Sequence, residues 1–113
     1  MIEKYFEAFN AKDLLTIREL FSPKVTLQDP VVGKVEGIEA VMAIYEKMFD
    51  GNEFELILNR QFQQGTFYAV EFSLKITNIE GAKSLIEGMD VIEIREDKIQ
   101  SLRAYLDTSV LGA

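Results

Sequence analysis

The chain has 113 residues, 48% hydrophobic and 27% charged, and its 19 acidic and 12 basic side chains leave a formal net charge of −7. This length and balance fit one ordinary globular domain spanning residues 1–113, with no room for a second. The absence of cysteine and histidine excludes disulfides, thiolate nucleophiles, Ser-His-Asp triads and imidazole or thiolate metal sites, and singly scattered cations on an acidic chain argue against nucleic acid.

Ile2, Tyr5, Phe6 and Phe9 recur at i, i+3, i+4 and i+7, which predicts a first helix broken at Asn10 to Lys12. Glu3 and Glu7 make this start unlike a signal peptide, and no apolar run approaches the roughly 20 residues of a membrane span. A cytoplasmic protein without membrane contact is the expectation. Asp13 stands where it can cap a short second helix, Leu14 to Phe21, which Ser22-Pro23 ends. VTLQDP, 25–30, predicts a strand that Pro30 terminates, and VVGKVEG, with Gly33 and Gly37, predicts a loop. The third helix runs from Ile38 to Phe49, with Ile38, Val41, Met42, Tyr45, Met48 and Phe49 in one stripe, and Asp50-Gly51-Asn52 closes it.

The apolar period then drops to two. Strands are predicted over 54–64, 66–77, 84–95 and 99–106, joined at Gly65, by a connection over 78–83, and by a tight turn through Glu96-Asp97-Lys98. Helices followed by an antiparallel meander describe an α+β domain, a curved sheet with its helices packed on one face.

Two carboxylates interrupt the apolar faces of these strands. Alternation puts Asp29 on the side of Val25 and Leu27, and Asp90 on the side of Ile86, Ile92 and Ile94. Tyr5 and Tyr45 lie on the apolar stripes of their helices, so two carboxyls and two phenols face the space between helices and sheet. An unpaired ionised carboxylate costs several kcal/mol to bury, so such a group takes a proton or finds a donor. A neutral carboxyl and a phenol can both donate hydrogen bonds, and a second, ionised carboxylate can act as a base. Together they can move a proton beside a carbonyl. Each residue also has a plainer reading. Asp before Pro at a strand end is a common turn former, a bulge or register shift would turn Asp90 outward, and buried tyrosines are ordinary core aromatics with wet tips. No phosphate loop, nucleophile elbow or cation-binding spacing accompanies them.

The segments YFEAFNAKDLLTIRELFSPKVTLQDPVVG, EGIEAVMAIYEKMF and GMDVIEIREDKIQSLRAYLD resemble the nuclear transport factor 2-like (NTF2-like) superfamily, in its SnoaL-like and ketosteroid isomerase branch, nearly end to end. The resemblance implies a cone-shaped fold, a curved mixed or antiparallel sheet wrapped around three N-terminal helices, with a mostly apolar cavity at its open end. It also implies a cofactor-free isomerase acting on an apolar carbonyl compound such as a steroid or polyketide. By this likeness Asp29 is the general base, Tyr5 and a protonated Asp90 form the oxyanion hole, and Tyr45 buttresses Tyr5; the division of labour between the two carboxyls is a known example of pKa tuning. Tyr68, Val70, Phe72 and Leu106 would line the substrate's walls, Leu106 standing where some isomerases have a tryptophan. Met89 and Val91, on the opposite face of the sheet, point to a homodimer through that face. The alternative is a non-catalytic small-molecule-binding or dimerisation module of the same superfamily. A scytalone-type dehydratase is disfavoured by the missing histidines, and an epoxide hydrolase by the want of an Asp-Arg-Asp set.

Overall fold

The computed structural model describes residues 1–111, residues 110 and 111 by their backbone alone. Helix α1 covers Ile2–Asn10, α2 Leu14–Leu20 and α3 Ile38–Phe49; strands β1 (Phe21–Asp29), β2 (Gly33–Glu36), β3 (Glu53–Gln64), β4 (Phe67–Thr77), β5 (Lys83–Arg95) and β6 (Lys98–Leu106) form one sheet, and a 3₁₀ turn covers Thr108–Leu111. The sheet order is β2-β1-β6-β5-β4-β3. β1 runs parallel to β6, and the other neighbours are antiparallel. This is the expected α+β cone with a mixed sheet.

Local chemistry explains the element ends. Asp13 caps α2 as its spacing predicts, its carboxylate accepting from the Thr16 backbone N–H at 3.1 Å and the Thr16 hydroxyl at 2.6 Å. Gly37 enters α3 at φ +90°, a left-handed conformation that a side chain would strain, and its N–H bonds the Val25 carbonyl at 2.8 Å. The turn between β5 and β6 forces the same handedness on Glu96 and Asp97.

Two expectations are corrected here. The segment Gly33–Glu36 is a strand, not a loop; it folds back on β1 with Leu27 opposite Val35 and Asp29 opposite Gly33. β1 also starts four residues earlier than predicted, at Phe21, so Ser22 and Pro23 lie inside a strand. Pro23 is tolerated because the β1–β6 register shifts between Phe21 and Thr26, leaving a stretch where ladder bonds are not required.

The helices cover one face of the sheet. Ile17, Val25, Val41, Val70, Ile92 and Ile99 are fully buried between the layers. An aromatic cluster fills the centre: the Phe9 ring lies 5.1 Å from Phe49 and 5.7 Å from Phe54, and Tyr45 lies 5.7 Å from Phe21. Asn10 ties α1 to the edge strand β3 by mimicking a strand, its amide donating to the Leu56 carbonyl at 2.9 Å and accepting from the Leu56 N–H at 2.7 Å.

Candidate functional site

Strand register places the two aspartates in one row. Asp90 on β5 pairs with Ala104 on β6, and because Gln28 pairs with Arg103 in the parallel β1–β6 ladder, Asp29 is the next residue beside Ala104. Asp29, Ala104 and Asp90 therefore share the helix-side face, with a single methyl group standing between the carboxyls. Two strand spacings set their backbones roughly 10 Å apart. Arg103, next to Ala104, alternates to the outer face, so the row contains no guanidinium.

Above this row, α1 and α3 bring Tyr5 and Tyr45 together with their hydroxyls 2.5 Å apart. Tyr5, Tyr45 and Asp90 are buried at 3%, 3% and 5% exposure. Burial raises the pKa of all three, and their charges act on one another. Asp90 is pushed up to about 8, first by loss of water and then by the negative charge of Asp29. The Tyr5 phenol is driven well above its usual range by burial, then by Tyr45 and Asp90. Tyr45 is raised by burial and by both aspartates, against the lowering effect of its bond to Tyr5. At neutral pH this end of the core holds three protonated oxygen acids, each able to donate.

Asp29 differs. It is half-buried at the end of β1, and its Oδ1 accepts the backbone N–H groups of Val31 and Val32, each at 2.7 Å. It is thus the turn former that an Asp-Pro pair suggests and also the carboxylate whose charge Asp90 feels. The two readings are compatible because Oδ1 serves the turn, leaving Oδ2 without a hydrogen-bond donor among the described residues.

An open groove of about 510 Å³ crosses the ends of β1 and β6, lined by residues 28–30 and 103–106. It takes in Asp29 and Leu106 of the expected site, and alternating residues of both faces give it mixed polarity where a mostly apolar cavity was expected. Tyr68 lies in a separate groove of about 400 Å³ with Ile2, Glu3 and Gln61. Val70 and Phe72, expected as walls, are packed into the core at 0% and 3% exposure, since β4 lies beneath the helices. The structure thus groups Tyr5, Tyr45, Asp90 and Asp29, sets Leu106 at the groove, and keeps Tyr68 apart. Sequence reading passed over Ala104, whose small side chain separates the carboxyls; its parity with Leu102 and Leu106 along β6 was the available signal.

Among the described residues no group of three or more acidic side chains could hold a metal ion, and no helix is long and apolar enough to cross a membrane. Comparison with curated proteins finds no match. Among solved structures, the epoxide hydrolase/cyclase-like enzyme SalBIII, described in pyran ring formation in the polyether salinomycin, is 26% identical, with a TM-score of 0.85 over 96% of this chain and 89% of that one. A LEH-like epoxide hydrolase of M. tuberculosis is 15% identical (TM-score 0.87, covering 98% of this chain and 83% of that one). A Catenulispora acidiphila protein of ketosteroid isomerase-like fold, solved with trimethylamine, is also 15% identical (TM-score 0.88, covering 98% and 88%). The model of the SnoaL-like domain matches residues 2–102, nearly the whole helix-and-sheet body, and the chain belongs to that family, within the NTF2-like superfamily.

Proposed function

We propose that this chain is a cofactor-free acid–base enzyme that moves a proton α to the carbonyl of an apolar small molecule, in the manner of ketosteroid isomerase. The observation that carries the reading is the row Asp29–Ala104–Asp90, in which a dry, protonated carboxyl and a half-exposed carboxylate share one face across a methyl group. Oδ2 of Asp29 takes the α-proton and returns it to another carbon. The developing enolate oxygen accepts hydrogen bonds from Asp90 and Tyr5, donors held in place before the reaction and shielded from water. Tyr45 acts as a positioning residue, since its hydroxyl fixes that of Tyr5. The substrate's apolar body rests on Leu106 and Ala104.

Proton exchange tests this without knowledge of the natural substrate. In D₂O the wild type should wash deuterium into the α-carbon of an apolar monocyclic ketone, and Asp29→Asn should slow the exchange by about 10²–10⁴-fold. Exchange that is absent in the wild type, or unchanged in both Asp29→Asn and Asp90→Ala, would leave the non-catalytic binding module as the better reading. The likeness to SalBIII favours a second reaction for the same pair, in which Asp90 protonates an ether or epoxide oxygen while Asp29 activates a hydroxyl. Consumption of an epoxy-alcohol without ketone exchange would select it. The outward direction of Arg103 counts against an Asp-Arg-Asp epoxide hydrolase.

We also infer that the chain pairs with a second copy through the outer face of the sheet. Phe62 and Tyr105 are 57% and 54% exposed there, beside half-buried Met89 and Val91. Of the four arginines, Arg18, Arg60 and Arg95 are ion-paired, while Arg103 has no carboxylate partner among the described residues. A two-fold axis across the sheet over the Met89–Tyr105 pair lays Arg103 of one copy over the Glu87–Asp107 end of the other. Sedimentation velocity should show a dimer that Tyr105→Asp splits; a monomeric wild type would end the idea.

A further inference from the structure

Gly88 does not owe its place to backbone conformation, for it sits mid-strand in β5 and is absent from the glycines with positive φ. Its neighbours explain it. A Cβ there would lie 2.8 Å from Cζ of Phe72, 2.8 Å from the Tyr105 carbonyl oxygen and 2.9 Å from Cδ2 of Leu106. Register sets Phe72, Gly88 and Leu106 side by side on β4, β5 and β6, in the row next to Val70–Asp90–Ala104. The Phe72 ring and the Leu106 side chain therefore converge above the glycine and fill the inner face immediately beside Asp90. Phe72 is buried, whereas Leu106 keeps contact with solvent at the groove, so the outer half of the pair is the movable one.

We propose that Phe72 and Leu106, meeting over Gly88, form an apolar stopper that limits the width of the ligand able to reach Asp90. The wild type then takes compact carbonyl compounds, of one ring or a short chain, and excludes fused-ring bodies unless the stopper is cut back. This rests on the reading of Asp90 as an oxyanion donor and deepens it by naming the substrate class. Gly88 and Leu106 are specificity residues in this scheme, with no part in proton transfer. Leu106→Ala removes the movable half. Gly88→Ala has to displace Phe72, Leu106 or the β6 backbone, and so serves only as a secondary variant because it also threatens the fold.

The experiment uses phenols as mimics of an enolate oxygen: phenol, 2-naphthol and a four-ring phenolic steroid, titrated against wild type and Leu106→Ala, with Leu15→Ala as a distant surface control. Binding to the wild type should fall as ring number rises. Leu106→Ala should narrow the gap between phenol and the four-ring probe by at least tenfold. A second readout is the Asp90 carboxyl followed by ¹³C NMR, in the field of Tyr5 from α1, Tyr45 from α3 and Asp29 from β1. Water admitted by Leu106→Ala should move its midpoint downward, a change that Leu15→Ala should not reproduce. Equal ring selectivity in wild type and Leu106→Ala overturns the stopper, as does failure of every phenol to bind either protein. Shifted selectivity without α-proton exchange keeps the stopper and defeats only the isomerase chemistry.

Discussion

Replacing Asp90 by asparagine is expected to stabilise the protein by about 4 kcal/mol at pH 7, and by nothing measurable near pH 4. The Asp90 carboxyl has a pKa of about 8 in the fold, against an ordinary value of 3.8. Folding strengthens its hold on the proton, so between these values the folded chain carries a proton that the unfolded chain has released. The associated stability is complete below about pH 4, declines by about 1.4 kcal/mol per pH unit above it, and levels off once Asp90 ionises near pH 8. Asparagine keeps the shape and a donor without the charge, and removes this dependence. Urea midpoints from pH 4 to 8 should thus diverge between the two proteins; parallel midpoints would mean that Asp90 meets water or a cation in solution. The same ionisation predicts a basic limb near pH 8 in kcat/KM, because the ionised carboxylate can no longer donate to an oxyanion.

Tyr5→Phe should lower α-proton exchange by roughly 10²–10³-fold, the usual effect of deleting one preorganised oxyanion donor. Tyr45→Phe should cost less, since it removes the group that aims the donor and not the donor itself. The two single changes should each lower stability by about 1–3 kcal/mol, because each leaves a buried hydroxyl without its partner at 2.5 Å. The double change to phenylalanine removes both orphans and should recover much of that loss. A double-mutant cycle measured by denaturation and by exchange separates the roles: coupling in stability with equal rate losses for both single variants would show that neither phenol touches the reacting oxygen.

Much of this was readable because burial imposes periodicity. The i, i+3, i+4 stripe of α1 and the alternation along β4 and β5 mark which residues face inward, and the same parity rule isolates Asp29 and Asp90. The failures have physical causes as well. Strand β2 offers only Val35 as an apolar residue in four, and it exists because β1 provides an edge to bond. The parallel seating of β1 on β6 depends on residues about 75 positions apart in the chain, which no local pattern records. Val70 reads as a pocket wall in the sequence because alternation distinguishes inner from outer faces but not an open cone from the layer beneath a helix. Small residues were the least legible of all. Ala104 and Gly88 matter through the space they concede to Asp29, Asp90, Phe72 and Leu106, and that space is defined by other strands.

The position of β6 bears on how the protein is made. It follows the other five strands in the chain, yet lies between the one that carries Asp29 and the one that carries Asp90. During synthesis β1–β2 and β3–β5 can each begin to pair, and the helices can pack across both, but the sheet stays in two pieces until β6 has cleared the ribosomal exit. The strands that carry Asp29 and Asp90 consequently stay unjoined until β6 threads between them, and a chain lacking β6 would hold both aspartates without the row that sets them side by side.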